Sequence, residues 1–439
     1  MADNDKAAGT AQPGIPVPEA VAGNGVLDRR LLLKGGAGLA ALWLTPLPAS
    51  GDPHGNGPGG PTTLPPSMGR PGAPFTNYGQ PSVHEQGVIR WISANSSAPG
   101  NGISWSPLHD LEGSITPNGL HYERHHNGVP DIDPAQHRLR VHGRVRQPLS
   151  FSVEALLRYP MESRMVFIEC GGNSNALWNK RPIQTAAGYV HGLVSCSEWV
   201  GVPVRLLLEE AGLESGATWA IAEGADGIAM NMSVPVEKLM DDAIVALYQN
   251  GERLRPANGY PMRLVLPGWE GVLNVKWLHR LQLSDRPAMT RNETARYTEL
   301  LPGGKARMFT FVMDAKSLIT QPSSGMQLPG PGLYQLKGLA WTGRGRIRAV
   351  EVSADGGATW APAALDEPVL PRCFTRFRSP WRWDGGPAVL KSRAIDETGY
   401  VQPEREELLA ERGRHGYFHY NAQVAWDVAS DGSVTHVYA

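Results

Sequence analysis

Met165-Val166-Phe167-Ile168-Glu169-Cys170-Gly171-Gly172-Asn173 is a short apolar run that stops at a thiol and passes at once into two glycines and an asparagine. The run reads as a buried strand, and the Gly-Gly-Asn as the turn that ends it. A strand end puts Cys170 at the edge of the core, and the glycines beside it let a bulky ligand approach the backbone. A thiolate there can bind a soft or high-valent metal or act as a nucleophile. Free cysteine is also among the most buried residue types, so an inert core thiol is the alternative.

Outward from this run the pattern is mixed. Residues 137–145 carry Leu139, Val141 and Val145 on one alternation, a strand. Ser152 suits the cap of a short helix through Leu157, with Glu154 in its first turn. Residues 203–211 read as a helix with proline at its start and Gly212 at its stop. Further strands are expected at 244–248, 262–266 and 275–283. Strands and helices do not alternate strictly, so the fold class is α+β. After Leu301 helical periodicity fades: short strands at 334–341, 347–352, 389–395 and 424–428 alternate with turn clusters such as Asp355-Gly356-Gly357. That spacing predicts a β-sandwich, with only 404–412 helical.

The 439 residues exceed one ordinary domain. Lys and Arg number 41 against 42 Asp and Glu, a formal charge of -1, so there is no global basic field for nucleic acid. Hydrophobic residues at 41% exclude wholesale disorder. The 51 glycines and 37 prolines imply many turns and loop-built sites. Three cysteines cannot form a disulfide framework, and Cys196 and Cys373 take no role from the sequence.

Residues 1–27 are polar and rich in Ala, Gly and Pro, without hydrophobic periodicity. Arg29-Arg30 then precedes a Gly/Ala-rich apolar run over 35–47, which reads as a twin-arginine export signal and predicts a periplasmic protein. The apolar run is shorter than the ~20 residues of a comfortable membrane span. Pro48-Ala49-Ser50 offers a cleavage site, and no later segment reads as a membrane span of the mature chain. Gly36-Ala37-Gly38-Leu39-Ala40-Ala41 matches the dinucleotide pattern but follows arginines, not a strand, and is rejected. The chain divides into a signal (1–50), a Gly/Pro-rich linker or arm (51–82), a first domain (83–300) and a second (301–439).

The run around Cys170 resembles the E-C-x-G-N stretch of the sulfite oxidase family of molybdenum enzymes, and other similarities follow in the family's order. Tyr122-Glu123-Arg124-His125-His126 is similar to its R-N-H segment. Ala246-Leu247-Tyr248-Gln249-Asn250-Gly251 is similar to its A-Y-x-x-N-G strand with the tyrosine one place late. Asn258-Gly259-Tyr260-Pro261-Met262-Arg263, Val275-Lys276-Trp277-Leu278 and the later Val352 to Trp360 stretch continue the likeness. The resemblance implies a molybdopterin-binding domain followed by an immunoglobulin-like dimerisation domain, in a homodimer. It implies that Cys170 ligates molybdenum, that Tyr248 is the candidate for the tyrosine beside the metal, and that Arg124 and either Arg376 or Arg378 face the substrate. It also implies that His125, His126, Asp226, Asn258, Arg263, Asn274, Val275 and Lys276 hold the pterin and its phosphate.

The likeness is closer still to the molybdenum subunits of sulfane dehydrogenases (the SoxC type), carried by His126-Asn127-Gly128-Val129-Pro130-Asp131-Ile132-Asp133-Pro134 and by Ser392 to Tyr400. Sulfite oxidases commonly place arginine after the asparagine of E-C-x-G-N, where Ser174 stands here. This type implies oxidation of sulfur held on a sulfur-carrier protein, with a dihaem cytochrome c subunit as partner. No C-x-x-C-H haem motif is present, so electrons must leave to another protein. The competing readings are a dehydrogenase of free sulfite, a sulfoxide reductase, a zinc enzyme using His121, His125, His126 and His137, and a non-enzymatic secreted β-sandwich protein.

Overall fold

The computed structural model describes residues 20–30, 66–69, 71, 73–308 and 310–439. The apolar run after the twin arginine, the expected cleavage site and the rejected dinucleotide pattern lie outside the described residues.

Three sheets build the first domain. A mixed sheet runs in the order Asn231–Pro235, Trp219–Gly224, Leu278–Ser284, Arg138–Gly143, Leu149–Ser152, with one parallel pair, Leu278–Ser284 beside Arg138–Gly143. An antiparallel sheet runs Glu252–Arg253, Ile244–Gln249, Val194–Pro203, Glu162–Glu169, with Arg263–Val265 also on Ile244–Gln249. A small sheet joins Trp91–Ala94, Gly102–Trp105 and Glu123–His125. The helix Val204–Ala211 starts after Pro203 and is stopped by Gly212 at φ 72, as its sequence predicts. Ser152 caps Val153–Leu156 by accepting from Ala155 N at 3.0 Å. The strand expected over 275–283 begins only at Leu278, because Trp277 is left-handed (φ 54); Asn274, Val275 and Lys276 therefore form a loop ahead of it.

The second domain is a sandwich. One sheet contains Lys316–Gln321, Gly332–Trp341 and Thr375–Trp383; the other contains Ile347–Ser353, Ala388–Asp396, Ala425–Val428 and Val434–Val437. Trp341, Trp381, Trp426 and Phe377 are fully buried within it. The helix Arg405–Arg412 carries a capping box between Glu404 and Glu407. The α+β first domain and immunoglobulin-like second domain are the expected fold class.

Apolar residues of the two domains pack together across their boundary. A single apolar cluster contains Phe167, Leu177, Val190 and Val194 of the first domain together with Leu339, Trp341 and Phe374 of the second. Phe167 N donates to Arg372 O at 2.9 Å, and the thiols of Cys196 and Cys373 lie 3.3 Å apart, unlinked. The polar reading of residues 1–27 differs from the structure at its end: Ala20–Ala22 and Val26–Leu27 form short strands, and Val26 pairs with Trp381 of the second domain. Two apolar residues suffice for that contact, too few to register as periodicity. No helix among the described residues is long and apolar enough to cross a membrane.

Candidate active site

Cys170 follows the strand Glu162–Glu169 directly, and its N–H donates to Leu193 O at 2.9 Å. The turn that holds it is tightly fitted. A Cβ on Gly171 would stand 1.9 Å from Glu270 Oε1, so any larger residue must displace that carboxylate. His419 N donates to Gly171 O at 2.7 Å, which brings the second domain against the turn. Under it, Glu169 accepts from Asn173 Nδ2 at 2.8 Å and from Trp341 Nε1 at 2.7 Å, with Lys316 Nζ 3.6 Å away. Ser174, left-handed at φ 64, points to Lys316 Nζ at 2.5 Å and His191 Nδ1 at 2.7 Å.

Above the thiol is a cavity of about 710 Å³ whose lining includes Arg124, His125, His126, Cys170, Asp226, Asn258, Arg263, Asn274, Val275 and Lys276. Ten of the expected site residues thus meet at one place from segments far apart in the chain. Two do not. Tyr248 sits on the first domain's core with Arg253 stacked over its ring at 4.9 Å, because a register shift between Ala246 and Tyr248 turns it away. Arg376 lies in the strand Thr375–Trp383 and donates to Gly113 O at 2.7 Å and Leu111 O at 2.5 Å, fastening a first-domain loop. Arg378 pairs instead with Glu112 at 3.0 Å and Asp366 at 2.9 Å. Neither arginine lines the cavity.

Two tyrosines do line it, Tyr122 and Tyr297, the latter just after the helix Arg291–Ala295. The Tyr297 ring stacks on Phe418 at 5.3 Å, and His126 Nε2 lies 3.4 Å from its hydroxyl. The sequence marks the helix start, through Thr290 and Glu293 of a capping box, but nothing marks the tyrosine after it. A second, open cavity of about 930 Å³ adjoins Cys170, walled by Tyr297, Tyr417, Phe418, Arg124 and Arg296.

Buried cations dominate the electrostatics of the inner cavity. Arg263 is only 5% exposed, and burial lowers its pKa to about 10. Lys276 is held well below its ordinary value by burial and by Arg263. Its Nζ donates to Arg124 O at 3.1 Å, Ala257 O at 3.2 Å and His125 Nδ1 at 2.8 Å, all neutral acceptors. Among the described residues Arg124, Arg263 and Lys276 make no ion pair. His125 Nε2 faces Glu123 at 3.1 Å, so its proton sits on that nitrogen. His126 accepts from Arg124 at Nδ1, and burial with Arg124 and Arg296 lowers its pKa to about 4. His121 Nε2 is buried without a protein partner. Burial pushes the Cys170 thiol up to about 11, against the pull of a Gly172 N–H.

Desolvated cations that no carboxylate contacts directly are costly unless an anion joins them. The cleft therefore fits an organic cofactor that brings a phosphate to Arg263 and Lys276 and presents a metal to one protein sulfur. A zinc site is not assembled: among the described residues no three His, Cys, Asp or Glu side chains converge, and His137 Nε2 is engaged with Leu278 O at 2.9 Å.

Fold and cleft define a molybdopterin oxidoreductase. Residues 126–292 match the oxidoreductase molybdopterin binding domain, and residues 307–426 the Mo-co oxidoreductase dimerisation domain. The chain belongs to the sulfite oxidase family of molybdenum enzymes. The crystal structure of the sulfane dehydrogenase SoxCD from Paracoccus pantotrophus superposes with TM-score 0.83 and 42% identity, over 86% of this chain and 98% of that one. Mitochondrial sulfite oxidase of Mus musculus is 31% identical over 318 residues, covering 67% of this chain and 58% of that protein. NADH nitrate reductase of Solanum lycopersicum is 31% identical over 380 residues, covering 74% of this chain and 41% of the reductase. The chain thus spans about half the length of these two curated relatives.

Proposed function

We propose that the chain is the molybdopterin subunit of a periplasmic sulfane dehydrogenase. It oxidises sulfur held on a carrier protein and passes electrons to a dihaem cytochrome c partner, as a homodimer through the second domain. The observation that carries the choice of substrate is the orientation of Ser174. At the position where sulfite oxidases commonly have arginine, this side chain turns inward to Lys316 and His191 and adds nothing to the cavity. A bidentate guanidinium is the usual clamp for a small oxyanion. The outer wall near Cys170 is instead aromatic, with Tyr297, Tyr417 and Phe418, and suits uncharged sulfur delivered on an extended arm. The likeness to SoxCD supports the same reading. Arg124 and Arg296, cations in the outer wall, favour the second reading, a dehydrogenase of free sulfite.

Bound molybdenum supplies the two-electron oxygen-atom chemistry. The chain holds and orients that group. Cys170 provides one sulfur, Arg263 and Lys276 neutralise the phosphate, and Asn258, Asp226 and His125 line the pterin's bed. Because Arg124 donates to His126 Nδ1, the His126 proton sits on Nε2 and points at the Tyr297 hydroxyl. Burial raises the Tyr297 pKa, so the phenol stays protonated and its own hydrogen is free to face the reacting sulfur. Export is assigned to Arg29-Arg30.

The test compares kcat/KM for carrier-bound sulfane and for free sulfite with cytochrome c as acceptor. Clear preference for the carrier form is expected, and Tyr417→Ala should raise KM for it while sparing sulfite. Equal or faster turnover of free sulfite would replace this reading by the second.

A further inference from the structure

The segment just ahead of the twin arginine is built into the second domain with a specificity that a polar arm does not need. Val26 and Leu27 are 0% and 1% exposed, and Val26 belongs to the sandwich core. Trp381 Nε1 donates to Asn24 O at 2.7 Å, Asn24 Nδ2 donates to Ala354 O at 2.8 Å, and Gly23 N donates to Thr359 Oγ1 at 2.6 Å. The fit excludes a side chain at one point and crowds it at another: a Cβ on Gly25 would stand 1.9 Å from the backbone Arg382 O, and one on Gly23 2.1 Å from Asp355 Oδ2, which would have to move. Gly25 is also at φ +85, where L side chains are strained. The segment is thus a matched ligand for the edge of the strand Thr375–Trp383, by strand addition.

We propose that this edge is a binding site for the chain's own Ala20–Leu27, a clasp that restrains the export signal until it is pulled free. The inference rests on the twin-arginine reading above. Arg29 and Arg30 are exposed, Arg30 with 77% of its side chain in solvent, so the motif is visible on the folded protein. Leu27, two residues before Arg29, is not. A receptor that grips an extended twin-arginine peptide needs backbone on both sides of the motif, and here the upstream side is committed to the sandwich. Receptor binding and docking therefore compete, and docking exists only once the second domain has folded. The clasp delays departure of a folded chain, an interval in which the cofactor is acquired.

The test uses the full, uncleaved chain and its Gly25→Val and Val26→Asp variants. Hydrogen exchange should show residues 20–27 protected in the unaltered chain and unprotected in both variants. Pulse-chase export of the variants should be severalfold faster than that of the unaltered chain. The same substitutions in residues 1–65 fused to a fluorescent protein, which lacks the second domain, should leave export unchanged. Absence of protection in the unaltered chain overturns the clasp. Lost protection with unchanged export of the full chain overturns the restraint, and equal acceleration in the fusion overturns it by showing a direct effect on signal recognition. An unaltered chain that keeps its protection yet never leaves the cytoplasm overturns the export reading while supporting the docking.

Discussion

The inner and outer halves of the cleft share Cys170, Arg124, His126 and Tyr297 but are built on opposite principles. The inner half belongs to the first domain alone, and its cations face only neutral acceptors. It is unsatisfied by itself, the condition of a bed that awaits an anion. The outer half is assembled from both domains, and its Tyr417 is 57% exposed. Holding a cofactor for the lifetime of the protein and admitting a substrate at every turnover ask for different surfaces, and the two halves supply them.

The largest way to break this contrast is at Cys170, one of the residues both halves share. Cys170→Ser should fold but lose activity by more than the ~10–100-fold typical of outer partners of a metal ligand, as read by turnover and molybdenum content. Retained activity would mean that the thiol is not the protein's sulfur ligand. Tyr297→Phe keeps the ring against Phe418 and removes only the hydroxyl. We expect kcat to fall by ~10²-fold, the lower range for a positioned proton donor, with cofactor content unchanged. An unchanged kcat would confine Tyr297 to packing.

Lys276→Met should separate the inner half from the outer. It deletes a buried cation whose hydrogen bonds go only to neutral acceptors, so the cofactor-free chain should melt no lower than the original. Cofactor retention should fall ~10–100-fold, the worth of one charge-assisted hydrogen bond of ~1.5–3 kcal/mol. A lowered melting temperature without cofactor would show that the lysine is structurally satisfied. The smallest effect concerns pH. The His126 pKa, lowered to about 4 by burial, lies below the ~6.5 of an unfolded histidine. Between these values the unfolded chain binds more protons, so stability rises with pH across the window and is lost as pH falls toward about 4. His126→Gln should flatten the melting-temperature profile there, and an identical profile would place the acid sensitivity elsewhere, with His121 the next group to examine.

The inner half was legible because its residues come in short contiguous stretches, 124–126, 258–263 and 274–276, whose order survives in one dimension. The outer half was not. Tyr297 and Phe418 meet across more than a hundred residues, and neither stands in a pattern of its own. Tyr248 was singled out by the likeness of its strand to the family's A-Y-x-x-N-G pattern, but a place in a strand does not fix side, and one register shift sends it to the opposite face. Arg376 shows the same limit at longer range, since its partners Leu111 and Gly113 lie in the other domain. The strands Val194–Pro203 and Thr375–Trp383 also escaped the sequence reading, the latter because Pro380 and five charged or polar residues interrupt any simple alternation.

The apolar cluster that runs through the domain boundary has a thermal consequence. Phe167, two residues before Glu169 and three before Cys170, shares that cluster with Trp341 and Phe374 of the sandwich. Neither half can shed water-excluded surface without exposing the other's, so the two should melt in one endotherm, and a protease cut in the 301–305 turn should nick the chain without releasing a working fragment.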